Sequence, residues 1–105
     1  MNYFNIYSIN INGIRGKDRQ LYLKNFINTN KYIDNLCIQE THIDSYFLSD
    51  NINSVVDDQS IWSYGSDRQC GLVVFVLNRN VKTVKYETDI DGRYIFVDFS
   101  YVNIQ

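Results

Sequence analysis

The sequence predicts an α/β domain with a mixed sheet and one early helix. Ile, Val, Tyr and Phe make up most of the apolar residues, and such β-branched and aromatic side chains favour strands. Several short segments alternate between apolar and polar residues, which is the period of a half-buried strand. One early segment instead carries its apolar residues at helical spacing. The 105 residues suffice for one domain at most.

Composition and charge restrict the classes of partner. The chain is 45% hydrophobic and 21% charged, which is typical of a globular core rather than of a disordered tail. Its formal net charge is −2, so no general basic field attracts it to nucleic acid. Any contact with a phosphate must therefore be local.

The two cysteines, Cys37 and Cys70, are far apart and form no Cys-x-x-Cys pair. Their spacing indicates neither a zinc knuckle nor a disulfide framework and favours two reduced, buried thiols. Residues 1–14 lack the basic start and long apolar core of a signal peptide, and no apolar run is long enough to span a membrane. We therefore expect an intracellular protein, in the nucleus or the cytoplasm, without a membrane partner.

A strand, a helix and a second strand are predicted first along the chain. Residues 3–11 alternate with period two and end in the turn Asn10-Ile-Asn-Gly. A helix of about three turns follows, with Asp18 as its N-cap and a stop at residues 28–30. Residues 36–39 have the apolar pattern of a buried strand.

These two strands should run parallel, because a crossover helix lays the second strand beside the first in the same direction. Their carboxyl ends, one carrying Asn10 and the other Glu40, then lie on the same edge of the sheet. The apolar run that begins at residue 36 stops at the carboxylate of Glu40 and then reaches the imidazole of His42. A carboxylate held at the end of a buried strand can be aimed at one point, so this edge is the predicted metal site.

The remainder is predicted to be mostly strand. Residues 45–59 are polar without a clear period, which favours a loop. Residues 60–64 form a short strand around Trp62, and residues 71–77 form a continuous apolar run typical of a central strand. Residues 81–88 and 94–99 alternate on either side of an Asp-Gly turn pair. The last three strands are expected to form an antiparallel meander.

Three stretches together resemble the endonuclease/exonuclease/phosphatase superfamily, and most closely the apurinic-type endonuclease domain of non-LTR retrotransposons. They are Ser-Ile-Asn-Ile-Asn-Gly at residues 8–13, Cys-Ile-Gln-Glu-Thr-His at residues 37–42, and Gly-Leu-Val-Val-Phe-Val at residues 71–76 with Gly-Arg-Tyr-Ile at 92–95. Their order and spacing match along nearly the whole chain. The Gln-Glu-Thr-His string is a fairly specific marker when the Asn-rich strand end precedes it at this distance.

The resemblance implies a metal-dependent phosphodiesterase that nicks DNA, on a two-sheet α/β sandwich of which this chain is the N-terminal part. It assigns Glu40 to the divalent metal, usually Mg²⁺ or else Mn²⁺, and makes Glu40 and Asn10 the catalytic residues beside the scissile phosphate. Asn12 would contribute at the metal or the phosphate. Arg15 and Lys17 would contact the DNA backbone. His42 does not match the catalytic histidine of the family. It would contact the metal ligand without binding the metal itself.

The chemistry of magnesium agrees with such a sparse set of ligands. Mg²⁺ takes few protein carboxylates and leaves its other positions to water and phosphate oxygens, so one Glu can anchor it. The bound ion polarises a phosphoryl oxygen and offsets charge on the leaving oxygen. An uncharged Asn beside that carboxylate suits the site, because another negative group would repel the phosphodiester.

The chain also departs from the family. Family members carry a later Tyr-containing strand, an Asp-x-Asn motif and a Ser-Asp-His string, which this sequence lacks. Such sandwiches usually need roughly 200–250 residues. We therefore expect residues 1–105 to be one partial domain truncated at its C-terminus, inactive or nearly so alone. Its expected partners are DNA in the full-length family, a missing C-terminal half, or a second copy of itself.

Other interpretations stay open. A phosphatase of the same superfamily, acting on an inositol phosphate or a phospholipid, would share these motifs. A non-catalytic module could use an exposed sheet face to bind a partner or itself. At single positions, Glu40 could be an exposed strand-end acid, Asn10 and Asn12 could serve only the turn, and Arg15 and Lys17 could be solvated charges.

Overall fold

The computed structural model describes residues 4–44 and 59–101 and confirms the α/β class. A mixed sheet has the strand order β1-β2-β4-β3, and β5 and β6 form a separate hairpin. The elements are β1 (Ile6–Asn10), α1 (Lys17–Thr29), β2 (Asn35–Gln39), β3 (Gln59–Ser63), β4 (Leu72–Val76), β5 (Val81–Thr88) and β6 (Ile95–Tyr101).

The first two strands run parallel, as predicted, with α1 between them in the chain. Asn10 lies opposite Gln39 in the register, so the carboxyl ends of β1 and β2 share one edge of the sheet. Strand β4 runs antiparallel between β2 and β3, which makes the sheet mixed and confirms β4 as its central strand.

Helix α1 confirms the predicted helix but not its predicted N-cap. Gly16 occupies the N-cap position with an extended backbone, and no side chain caps the helix there. Asp18 instead lies in the first turn, where its negative charge interacts favourably with the helix dipole. The predicted stop is confirmed, because the backbone N–H and the Nδ2 of Asn30 both donate to the carbonyl of Phe26.

The central strands of the sheet are covered on both faces, whereas the edge strand β1 is largely exposed. On one face α1 buries Leu23 and Ile27 against β2 and β4 residues such as Leu36 and Phe75. On the other face, the hairpin packs Ile95 and Phe99 against the side chains of β4 and of the start of β5. The alternation of a strand explains the division, because successive β4 side chains point to opposite faces.

The predicted meander is wrong. Strand β4 already pairs with β2 on one edge and with β3 on the other, so β5 has no free edge of β4 to join. The chain turns away after β4, where the N–H groups of Leu77 and Asn78 both donate to the carbonyl of Asp34. Among the described residues, strand β5 then pairs with β6 alone, with a register shift between Thr83 and Lys85.

Two further predictions depend on residues near the centre of the chain. The short strand predicted at residues 60–64 is confirmed as β3, which begins at Gln59. The predicted loop at residues 45–59 lies almost wholly outside the described residues. Over residues 4–44 and 59–101, no helix is long and apolar enough to cross a membrane.

Candidate functional site

At the predicted edge of the sheet, Asn10 and Glu40 lie on neighbouring segments of the chain. Asn10 is the last residue of β1, and Glu40 directly follows β2. The two segments stay hydrogen-bonded beyond the ends of the strands. The N–H of Gly13 donates to the carbonyl of Glu40 at 2.6 Å. The N–H of Ile14 likewise donates to the carbonyl of Thr41 at 2.9 Å. The turn after β1 is therefore fixed against the segment that carries Glu40.

The carboxylate of Glu40 is held by two donors. The backbone N–H of Cys70 donates to its Oε2 at 3.1 Å. The Nε2 of His42 lies 3.1 Å from the same oxygen. The Glu40 side chain is 39% exposed, so the carboxylate is oriented by the protein and still accessible from solution. A fixed, accessible carboxylate is what a metal ligand requires.

Four non-glycine residues in the loops at this edge, Glu40 among them, have left-handed backbones. They are Asn12 (φ 53°), Glu40 (φ 57°), His42 (φ 57°) and Cys70 (φ 62°). Such a conformation costs roughly 1–2 kcal/mol for an L-residue, with Asn the most tolerant. Strain of this kind tends to concentrate at functional sites, where the surrounding structure holds it in place.

Both asparagines lie at the surface of this edge. The Oδ1 of Asn10 accepts the backbone N–H of Asn12 at 3.2 Å, which is an Asx-type turn. The turn therefore uses the side-chain oxygen of Asn10. Asn10 is nevertheless exposed, and it pairs with Gln39, the residue that precedes Glu40.

The predicted DNA-contacting cations differ in their surroundings. The Nη1 of Arg15 donates to the carbonyl of His42 at 3.3 Å and lies 3.7 Å from the carboxylate of Asp44. The Arg15 side chain is 36% exposed, and these contacts link the turn after β1 to the segment after β2. Lys17 is exposed in the first turn of α1. Sequence reasoning missed Arg19, whose Nη1 donates to the carbonyl of Ile11 at 2.6 Å.

A glycine junction supports the segment behind Glu40. The N–H of Thr41 donates to the carbonyl of Gly71, and the N–H of Gly71 donates to the carbonyl of Gly92. Gly71 has φ 98°, and a Cβ added to it would collide with the Oγ1 of buried Thr41. A Cβ on Gly92 would lie 2.7 Å from the backbone nitrogen of Gly71. The hairpin loop is thereby locked against the chain that positions Glu40.

An open cleft lies on the other side of Cys70. It has a volume of about 260 Å³, and its lining includes Tyr64, Gln69, Cys70, Asp91 and Arg93. Cys70 lines this cleft and also binds Glu40 through its N–H, whereas Glu40 itself does not line the cleft. Neither cysteine is fully buried, which corrects the expectation of two buried thiols, although both are free of disulfides.

The donor set fits a magnesium-type ion better than an ion that requires several protein ligands. Over the described parts of the chain, no group of three or more His, Cys, Asp or Glu side chains converges. Mg²⁺ needs only one or two carboxylates, with water and phosphate oxygens for the rest. Glu40 with the amide oxygen of the exposed Asn12 would be such a set. Comparison with models of protein families and with curated proteins finds no match.

Proposed function

We propose that this chain is part of a Mg²⁺-dependent phosphodiesterase that nicks DNA, and that it contributes the metal-binding wall of the active site. The observation that carries the proposal is the carboxylate of Glu40, fixed by two donors at the carboxyl end of β2 and beside Asn10. The hairpin packed on the face of the sheet opposite α1 supports the further proposal of a two-sheet sandwich.

Each residue at this edge has a distinct task in the proposal. Bound Mg²⁺ would supply charge neutralisation on the phosphoryl and leaving oxygens. Glu40 would hold that ion, and Asn12 would add an amide oxygen. The amide of Asn10 would donate to a phosphate oxygen, which an uncharged donor does without repelling it. Arg15, which binds the carbonyl of His42, and Lys17, at the start of α1, would contact the DNA backbone.

We do not expect the 105-residue chain to turn over DNA by itself. The sequence has one histidine, His42, and that residue is engaged with Glu40. The Asp-x-Asn and Ser-Asp-His strings that activate the attacking water in the resembled family have no counterpart in this sequence. A supercoiled plasmid incubated with the chain and Mg²⁺ should therefore stay closed. Nicking that disappears in Glu40→Ala would contradict this part of the proposal.

Metal binding is tested with Mn²⁺, which replaces Mg²⁺ and can be followed by electron paramagnetic resonance. Glu40→Ala should weaken Mn²⁺ binding at least about tenfold, because the one carboxylate of the site is gone. Glu87→Ala is the matched control, since Glu87 is an exposed carboxylate on β5. Equal affinities of the two variants would overturn the proposed metal site.

A non-catalytic interaction module is the second candidate, and exposed apolar side chains on the hairpin favour it. Val84, Tyr86 and Phe96 are each more than 60% exposed. Exposed apolar groups on a two-stranded element are a hazard for association and can form an interface. Light scattering tests this function: concentration-dependent association would support it, and a monomer at every concentration would count against self-association.

A further inference from the structure

The two oxygens of the Glu40 carboxylate have different surroundings. Both donors that hold it, the Nε2 of His42 and the N–H of Cys70, reach Oε2 at 3.1 Å. Among residues 4–44 and 59–101, none donates a hydrogen bond to Oε1. A carboxylate oxygen has about two acceptor sites, so Oε2 is filled by these two donors. Oε1 is the oxygen that remains for a cation.

The hydrogen on the His42 ring can be assigned from this contact. An ionised carboxylate only accepts hydrogen bonds, so the Nε2 of His42 must carry the hydrogen. The opposite nitrogen, Nδ1, lies against Gly13, where an added Cβ would approach it to 2.9 Å. The ring therefore occupies the space that Gly13 leaves open, between the turn after β1 and the carboxylate of Glu40. Only 15% of the His42 side chain is exposed.

The backbone of His42 is fixed as firmly as its ring. Its N–H donates to the carbonyl of Cys70 at 3.0 Å. Its carbonyl accepts the guanidinium of Arg15 at 3.3 Å. The same loop residue, Cys70, thus binds His42 through its carbonyl and Glu40 through its N–H. Three segments of the chain together set the direction from the imidazole to the carboxylate.

We propose that His42 is a positioning residue: its Nε2–H, together with the N–H of Cys70, holds Oε2 of Glu40 and so presents Oε1 as the single carboxylate oxygen that binds the divalent cation. The presenting role depends on the proposed function, whereas the hydrogen-bond pair exists without the metal. Groups that orient a metal ligand typically change metal affinity by roughly 10- to 100-fold when they are removed.

The pair is tested first without metal, by NMR of the one histidine at a pH where its ring is neutral. A hydrogen on Nε2 that is held by Glu40 and shielded from water exchanges slowly enough to give a proton signal. The signal should be present in the unmutated chain and lost in Glu40→Ala, and it should persist in Glu87→Ala. A ring that carries its hydrogen on Nδ1, or a signal that survives in Glu40→Ala, would overturn the assignment.

Mn²⁺ affinity tests the presenting role. His42→Ala should weaken binding roughly 10- to 100-fold. His42→Gln should restore most of the affinity, because its amide nitrogen reaches about as far as Nε2, whereas His42→Asn reaches only as far as Nδ1 and should not. Among residues other than glycine, Asn best tolerates a left-handed backbone, so failure of His42→Asn cannot be attributed to the backbone. Amide spectra of each variant verify that the fold is kept.

The outcomes separate the two proposals. If Glu40→Ala loses Mn²⁺ but His42→Ala binds as tightly as the unmutated chain, the proposed metal site stands and the role of His42 is overturned. The same holds if Asn rescues as well as Gln. If the unmutated chain has no binding that depends on Glu40, the proposed function fails, and the presenting role fails with it.

Discussion

The edge that carries Glu40 and the β5–β6 hairpin are built in opposite ways. At the edge, left-handed residues in three separate loops are held by hydrogen bonds between distant parts of the chain. The hairpin pairs two neighbouring strands, and its described non-glycine residues keep negative φ values. Its outer side chains, such as Val84 and Phe96, are largely exposed. The first region is strained and interlocked, and the second is a two-stranded ladder with one register shift and an exposed outer face.

This difference shows that the unfavourable backbone conformations of non-glycine residues are concentrated at the Glu40 edge. A left-handed residue persists only if its surroundings determine its conformation. At the Glu40 edge those surroundings are hydrogen bonds between separate segments of the chain, such as the bond from the N–H of Cys70 to the carboxylate. The left-handed residues Glu40, His42 and Cys70 are also the residues that fix the carboxylate of Glu40 in one direction.

Substituting Gly71 should give the largest effect, because it breaks the interlocked region. In Gly71→Ala the new Cβ meets the Oγ1 of Thr41 and the residue must keep φ 98°, so we expect a loss of about 3 kcal/mol of unfolding free energy. Urea unfolding followed by Trp62 fluorescence measures it. In the control Gly16→Ala, where no atom lies within 4 Å of the new Cβ, the loss should stay below about 1 kcal/mol. Equal losses would contradict the interlocked description.

The same contrast explains what the sequence could predict. The order of β1, α1 and β2 follows from local periodicity, and the common edge of Asn10 and Glu40 follows from that order. The partners of Glu40 do not follow, because the Cys70 donor is a backbone N–H 30 positions away that any residue other than proline could supply. The meander failed for a related reason: pairing of β4 with both β2 and β3 is a long-range outcome that its own apolar run does not encode.

Within the hairpin, the two faces should differ in their contribution to stability. Phe99 packs against the cluster that contains Val74 and Val76, so Phe99→Ala should lower the unfolding free energy by about 2 kcal/mol. Phe96 is 64% exposed and contacts the ring of Tyr94, so Phe96→Ala should lower it by less than about 1 kcal/mol. Neither change should alter Mn²⁺ affinity. A larger loss for Phe96→Ala would mean that the outer face is covered.

The smallest effect concerns Cys37, on the sheet face opposite α1. Burial raises the pKa of its thiol above the ordinary value of 9.0, because the thiolate is less stable away from water. At pH 8 in a Cys70→Ser background, a thiol reagent should react more slowly with the folded chain than with the chain in denaturant.

The raised pKa of Cys37 also makes stability depend on pH. The contribution of the protonated thiol to the free energy of unfolding is fully present below pH 9.0. It is lost as the pH rises through the higher pKa of the folded state. Reaction at equal rates, or unfolding free energy that rises over that range, would contradict burial of this thiol. Its environment is set by ordinary packing on a regular strand, so Gly71→Ala should increase its reactivity only as far as it unfolds the chain.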